Sequence, residues 1–382
     1  MEKVSLVRCE DYVYEDVKHA IAESFKNLGG IESYIQRGDK VLLKMNLLMK
    51  KRPEEATTTH PEFVKALAEI LIGHGAEVYI GDSPGGPFNE KALRGVYRVC
   101  GIENVANETG AVLNYNTNMM EVKNEKGKIL RTLTVAEMLK GVDKVISVSK
   151  LKTHGMATFT GAVKNMFGII PGILKAEYHF KMPNIQDFAN ALVDICLFAQ
   201  PVLSFMDGIV GMEGDGPSAG TPRKVGVVVA SASPYHLDVV ASSIINLEPT
   251  KVPTIQCCVE RGICRGSLED IEIVGDKLEG FIVKDFIIPK TRSVHFAGGR
   301  VPGFVRYFSD RLLQPKPVFS HEICIGCGDC AENCPPKVID MVDHKPEVNL
   351  QNCIRCFCCQ ELCPKKAVKI HRPWLLDRIV KW

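Results

Sequence analysis

The sequence lacks any hydrophobic run long enough to cross a membrane; no stretch reaches the ~18 uninterrupted apolar residues that a spanning helix needs. Its longest runs, such as Val225–Ala232, suit buried strands. The N-terminus, Met1-Glu2-Lys3-Val4-Ser5-Leu6-Val7-Arg8, has no apolar segment of the kind a secretory signal carries. Charge imbalance is also missing: 47 Lys and Arg against 45 Asp and Glu leave a net +2, so no global field recruits nucleic acid or an anionic membrane. Neither G-x4-G-K-[ST] nor G-x-G-x-x-G occurs, which leaves ATP or NAD binding by the standard phosphate loops unsupported. Together these absences predict a cytoplasmic protein with no membrane span and no nucleic-acid partner. The length of 382 residues, with 46% hydrophobic and 24% charged residues, fits an ordinary globular chain with one large domain and a smaller one.

What the chain has in excess is cysteine. Fifteen are many for a cytosolic protein, where disulfides are rare. Nine of them fall in the 40 residues from Cys324 to Cys363, and eight of these follow a repeated spacing. Cys324-x2-Cys327-x2-Cys330-x3-Cys334-Pro335 is followed by Cys353-x2-Cys356-x2-Cys359-x3-Cys363-Pro364, the bacterial ferredoxin ligand run written twice. Three thiolates on a tight loop reach three irons of one cubane, while the fourth, beyond the x3 step, completes the other. This assigns Cys324, Cys327, Cys330 and Cys363 to one [4Fe–4S] cluster, and Cys353, Cys356, Cys359 and Cys334 to a second. Gly326 and Gly328 fall where backbone amides approach cluster sulfurs closely. A zinc module is the competing reading, but zinc takes four ligands per site and has no use for this repeated run. Of the other cysteines, Cys358 reads as a bystander and Cys196 as a core residue. Cys257, Cys258 and Cys264 match no known metal spacing, and packing is their expected role.

Residues 1–300 alternate short apolar runs with helical stretches. Strands are expected at Val41–Asn46, Glu77–Asp82, Val112–Tyr115, Lys144–Ser149, Pro201–Met206 and Lys224–Ala230. Helices are expected from about Thr59 to Gly73, near Glu90–Cys100 and over Leu237–Leu247. Thr59-His60-Pro61-Glu62 reads as a capping box with Thr59 as N-cap. The alternation implies an α/β domain with a mostly parallel sheet flanked by helices. A small α+β ferredoxin-like domain follows at 317–371, after a connector at 301–316 that includes a short amphipathic helix at Val305–Leu313. A tail at 372–382 carries Trp374 and Trp382, expected to pack back on the large domain.

Ligands of such sheets sit beyond the carboxyl ends of the strands, and there the unusual loops fall. Lys150-Leu151-Lys152-Thr153-His154 is followed by Thr158-Phe159-Thr160-Gly161-Ala162-Val163-Lys164-Asn165, which reads as a helix start ending near Gly168 and Pro171-Gly172. A helix N-terminus with threonine hydroxyls, a close glycine and lysines is an anion cradle. Its rival is a solvated lysine face. His60, His154 and His179 each suit acid–base work; nearby cations would keep His154 neutral. Asp82, Asp207, Glu213 and Asp215 are candidate acids, although Asp215 in Gly-Asp-Gly-Pro also suits an Asx turn.

Six segments, Lys44-x-Asn46-Leu47, Thr59-His60-Pro61-Glu62, Gly81-Asp82-Ser83-Pro84-Gly85, Lys150-Leu151-Lys152-Thr153-His154, Thr160-Gly161-Ala162-Val163-Lys164-Asn165-x2-Gly168 and Asp207-Gly208-x4-Gly214-Asp215-Gly216-Pro217-x2-Gly220, resemble the domain-of-unknown-function 362 family across most of residues 1–250. Members with a ferredoxin tail are similar to the entire chain. The resemblance implies that Lys44, Asp82, Lys152, His154, Lys164 and Asp215 line one site, and it supplies no reaction.

The expected function is an iron–sulfur oxidoreductase. Two [4Fe–4S] clusters would relay single electrons from a ferredoxin-like donor to an anionic small molecule, a flavin or another organic cofactor in the large domain. His154, Lys152 and Asp82 would be catalytic, with Lys44, Thr160, Gly161, Lys164 and Asp215 binding the ligand. A non-enzymatic electron-transfer subunit and a cofactor or metal maturation factor are the rival readings.

Overall fold

The computed structural model describes residues 1–182, 184–289 and 315–371. Most of the connector and the whole tail expected from sequence lie outside the described residues.

In the large domain the strands are β1 (Glu2–Arg8), β2 (Lys40–Lys44), β3 (Glu77–Gly81), β4 (Val112–Leu113), β5 (Met119–Lys123), β6 (Thr132–Ala136), β7 (Lys144–His154), β8 (Thr158–Thr160), β9 (Leu203–Glu213), β10 (Thr221–Ser231) and β11 (Ile271–Gly275). The helices are α1 (Tyr14–Asn27), α2 (Pro61–His74), α3 (Glu90–Val99), α4 (Ile102–Thr109), α5 (Ala162–Asn165), α6 (Gly172–Lys181), α7 (Ile185–Ala199), α8 (Pro234–Ile244) and α9 (Pro253–Glu260). Nine strands form one sheet in the order β11-β1-β10-β9-β7-β2-β3-β4, with β8 paired to β7. The run β9-β7-β2-β3-β4 is parallel, whereas β10 is antiparallel to both neighbours. The sheet is therefore mixed but mostly parallel.

Alternation along each strand divides the core in two. Val41 and Leu43 of β2, Ile146 and Val148 of β7 and Val228 and Ala230 of β10 pack with α1 to α4. Leu42, Val145, Val227 and Val229 point the other way, toward α5, α7, α8 and α9. Such side-chain alternation requires cover on both faces, so the architecture has three layers.

From β2 the chain moves outward to β3 and β4, then crosses back to place β7 on the opposite side of β2. The crevice beyond the carboxyl ends of β2 and β7 is thus a topological switch point, where open α/β sheets bind ligands.

Four expectations need correction. The strand predicted to end at Ser149 continues through His154, because Lys150, Lys152 and His154 are buried strand residues that find polar partners inside. Likewise β9 runs past Met206 to Glu213. The helix expected from Thr158 is a short strand, with α5 spanning only Ala162–Asn165 and a separate α6 starting at Gly172. The cap of α2 is His60, whose Nδ1 accepts from the Glu62 amide at 3.3 Å; Thr59 Oγ1 donates instead to the Val148 carbonyl.

The C-terminal module carries β12 (Lys316–Phe319) paired with β15 (Val368–His371), the hairpin β13 (Ile339–Val342) and β14 (Lys345–Val348), and the one-turn helices α10 (Asp329–Glu332) and α11 (Cys358–Glu361). It docks on the large domain through Ser218 Oγ to the Glu361 carbonyl (2.6 Å), Gln360 Nε2 to the Asp215 carbonyl (2.9 Å), Lys51 Nζ to the Pro364 carbonyl (3.1 Å) and Lys366 Nζ to the Gly220 carbonyl (3.2 Å). Each such bond contributes about 1 kcal/mol net.

Candidate functional site

A cleft partly open to solvent lies at the switch point and is walled by both domains. The large domain contributes Lys44 and Asn46 from β2 and its loop, Asp82 and Ser83 after β3, Lys152 from β7, Thr160 and Lys164, and Phe167. Gly172, Lys175, Ala176 and His179, spaced to share one face of α6, complete that side. The ferredoxin module closes the other with Asn333, Cys358, Glu361 and Leu362.

Charge in the cleft is unbalanced. Lys44 Nζ pairs with Asp82 Oδ1 at 2.8 Å, and Asp82 also accepts from the amides of Leu47 (2.6 Å) and Ser83 (2.7 Å). A Cβ on Gly168 would sit 2.2 Å from both Asp82 Oδ1 and Lys44 Nζ, so only glycine lets the chain pass over this pair. Lys152 Nζ, in contrast, donates to Asn46 Oδ1 and the Thr57 carbonyl. Lys175 donates to the Ser83 carbonyl and lies 5.7 Å from the centre of the Phe167 ring. Burial lowers the pKa of Lys44 and Lys164, and lowers Lys152 and Lys175 to about 7. Burial opposes ionisation of Glu361 too, but His154, Lys164 and His179 more than offset it and hold the carboxyl at about 2. With every lysine charged, four cations face the two carboxylates Asp82 and Glu361. Three buried polar atoms on the wall, Ser83 Oγ, Thr160 Oγ1 and His179 Nδ1, have no hydrogen-bond partner among the described residues. Unsatisfied buried groups of this kind call for a ligand or ordered water.

Several sequence-predicted residues converge here: Lys44, Asp82, Lys152, Thr160 and Lys164. Three do not. His154 sits one residue behind the wall. Its Nδ1 accepts from the amides of Met156 and Ala157, both at 3.1 Å, which places the ring proton on Nε2, 3.1 Å from Glu361 Oε1. That contact is not aligned as a hydrogen bond, and burial, reinforced by Lys164, keeps the ring neutral with a pKa near 4. Gly161 faces Asp238, whose carboxylate accepts from the amides of Ala162 (2.6 Å) and Val163 (3.1 Å). The anion expected at this helix start is thus a side chain of the protein itself. Asp215 is outside the cleft, and its carbonyl accepts from Gln360. Sequence reasoning missed Glu361 and Lys175 as wall residues; Cys358, which joins neither cysteine quartet, also lies on the wall. The signal for Lys175 was present in its helical spacing with Gly172 and His179; nothing local marked Glu361.

In the module, Cys324, Cys327, Cys330 and Cys363 ring one cavity, and Cys334, Cys353, Cys356 and Cys359 ring another. No three His, Cys, Asp or Glu side chains among the described residues converge as a site for a single ion; the quartets surround space instead. Gly326 and Gly328 in the first loop have φ of 71° and 82°. The second loop adopts the same left-handed path at Arg355 (φ 59°) and Phe357 (φ 61°) without glycine. Non-glycine residues pay about 1–2 kcal/mol for that conformation, so the shape of the ligand array prevails over local preference. These donors fit cubane clusters. Cys327 is exposed, Cys356 and Cys359 are buried, and Cys358, between them in the chain, lies on the cleft wall.

A profile described as Domain of unknown function (DUF362) matches residues 41–243, more than half of the chain. The chain belongs to the DUF362 family. A 4Fe-4S dicluster domain matches residues 316–364, so this DUF362 member is an iron–sulfur protein. A thylakoid-associated protein of Synechocystis is 33% identical over 257 residues, covering 67% of this chain and 78% of the relative. Among solved structures, the lactate racemase apoprotein of Thermoanaerobacterium thermosaccharolyticum is 15% identical at a TM-score of 0.40, with 62% of this chain and 55% of that one covered. A protein from Thermotoga maritima is 14% identical at 0.36, with 60% and 57% covered. This chain thus spans a little over half of each solved chain. Among the described residues no helix is long and apolar enough to cross a membrane.

Proposed function

We propose that this DUF362 protein is an oxidoreductase acting on an anionic small molecule or organic cofactor held in the cleft. The observation that carries the reading is the shared wall: one cavity is lined by Lys44, Lys152, Lys164 and Lys175 and also by Cys358, which lies between two cysteines of the second quartet. Cys324, Cys327, Cys330 and Cys363 would hold one [4Fe–4S] cluster and Cys334, Cys353, Cys356 and Cys359 the other. Bound there, the clusters supply single-electron steps.

The chain's own residues do the rest. Lys164 and Lys175 neutralise the anion, and Ser83, Thr160 and His179 offer it hydrogen bonds. The Lys44–Asp82 pair fixes the cleft floor, because three donors already occupy the Asp82 carboxylate. Neutral His154 positions Glu361 at the mouth between the domains. A ferredoxin-like donor would meet the module at the exposed loop around Cys327, where Ile323 and Ile325 are also exposed.

The test is anaerobic purification with iron and sulfide counts, an absorption spectrum and mass spectrometry of released small molecules. About eight irons and a bound anionic compound are expected. Eight irons with a cleft that takes up no anion would replace this reading with that of an electron-carrier subunit.

A further inference from the structure

The buried lysines fall into two kinds. Lys44 is paired with Asp82 at 2.8 Å and Lys150 with Asp207 at 2.7 Å. Lys152 is as deeply buried, 1% exposed, yet has no ion-pair partner among the described residues. Its hydrogen bonds go to two uncharged oxygens, Asn46 Oδ1 at 2.8 Å and the Thr57 carbonyl at 2.6 Å. A buried ammonium without a counter-ion is costly. A neutral amine has two N–H donors and one lone pair, so these two acceptors satisfy it completely. The lone pair is then left for whatever occupies the cleft that Lys152 lines.

The surroundings favour that form. Burial brings the Lys152 pKa to about 7; Lys164 on α5 and Lys150 on the same strand push it down, and Glu361 of the module and Asp82 after β3 pull the other way. A lysine beside another cation in a desolvated pocket is a standard way to activate an amine nucleophile.

We propose that Lys152 is a nucleophile that forms an imine with a carbonyl group of the cleft's ligand, whose class is therefore an anionic aldehyde or 2-oxo acid. This rests on the reading of the cleft as an anion site. Nζ adds to the carbonyl carbon, the C–N bond forms and the C–O bond breaks. The oxygen leaves as water with the two amine protons, and one proton from solvent converts the imine to an iminium. No oxidant or reductant enters this step. Lys164 and Lys175 hold the anionic group while Lys152 reaches the carbonyl.

Pyridoxal 5′-phosphate, an anionic aldehyde, is the probe. The anaerobically purified full-length chain is treated at pH 7, reduced with cyanoborohydride and mapped by peptide mass spectrometry. At that pH an amine with a pKa of 7 is half neutral, against roughly one in three thousand for an ordinary lysine. Labelling is expected first at Lys152, near one per chain, with a rate that rises through pH 7 and slows when inorganic phosphate is added. Asn46→Asp, which gives Nζ a carboxylate, is expected to slow labelling at least tenfold at pH 7. Labelling of Lys164, Lys175 or exposed lysines with Lys152 untouched overturns the proposal, and protection by phosphate would then still uphold the anion site. Labelling of Lys152 that phosphate neither slows nor competes with keeps the nucleophile and overturns the anion reading. If Asn46→Asp does not fold, as judged by its iron count, the wild-type map alone decides.

Discussion

His154 Nε2, at the end of β7, lies 3.1 Å from Oε1 of Glu361, a residue of the ferredoxin module 207 positions later in the chain. Glu361 is the only carboxylate the module brings to the cleft wall among the described residues, so it sets how much positive charge a ligand meets.

Glu361→Gln therefore tightens binding of inorganic phosphate. Removing one negative charge from a partly wet cleft is worth about 1 kcal/mol, or roughly fivefold in affinity. Equilibrium dialysis under nitrogen checks the direction, with the iron count expected to stay at the wild-type value. Weaker binding would mean that Glu361 contacts the ligand as a donor's partner and not as a counter-charge.

Gly161→Ala separates structure from binding at a position whose sequence context suggests an anion cradle. A Cβ there would lie 2.0 Å from Asp238 Oδ1. The variant loses about 1–3 kcal/mol of stability through the forced shift, seen as a lower Tm, while the folded fraction binds phosphate as the wild type does.

The difference between these two residues shows what the sequence disclosed. The cysteine quartets are legible because ligand spacing is a local code. The strands are legible because apolar runs report burial, and they fail where burial is polar: Lys150, Lys152 and His154 read as a loop although they complete β7. Gly161 looks like part of an anion site by local pattern, but the partner of the Ala162 and Val163 amides is Asp238, about 75 residues away. Glu361 carries no local mark at all, since its role comes from docking between domains.

Acid destabilises the protein through histidines that are buried neutral. His60 stacks on Tyr12 with ring centres 3.6 Å apart, and burial lowers its pKa from 6.5 to about 4. Above pH 6.5 neither the folded nor the unfolded chain protonates it. Between pH 6.5 and 4 only the unfolded chain does, so stability falls by up to about 3 kcal/mol, and below pH 4 this loss levels off. His60→Asn keeps an acceptor at the α2 cap. Its Tm, scanned from pH 7.5 to 4 under nitrogen, falls less steeply than that of the wild type.

Ligand assignment across the two loops is testable by spectroscopy. Cys363 follows the second loop but faces the cavity of the first. Cys363→Ser and Cys327→Ser are expected to alter the same cluster signal in electron paramagnetic resonance, and Cys334→Ser the other. Each lowers iron from about eight toward about four per chain. Cys363→Ser and Cys334→Ser perturbing one common signal would reverse the pairing.

Cys358, Glu361 and Leu362 belong to the cleft wall and to the stretch between Cys356 and Cys363. That stretch follows a backbone path the cysteines impose. On the proposed function, iron supply would therefore act as a licence for ligand retention, because the loop that holds a cluster also forms one side of the container. An incompletely assembled molecule would then release its ligand, and occupancy of the cleft would report that assembly is finished.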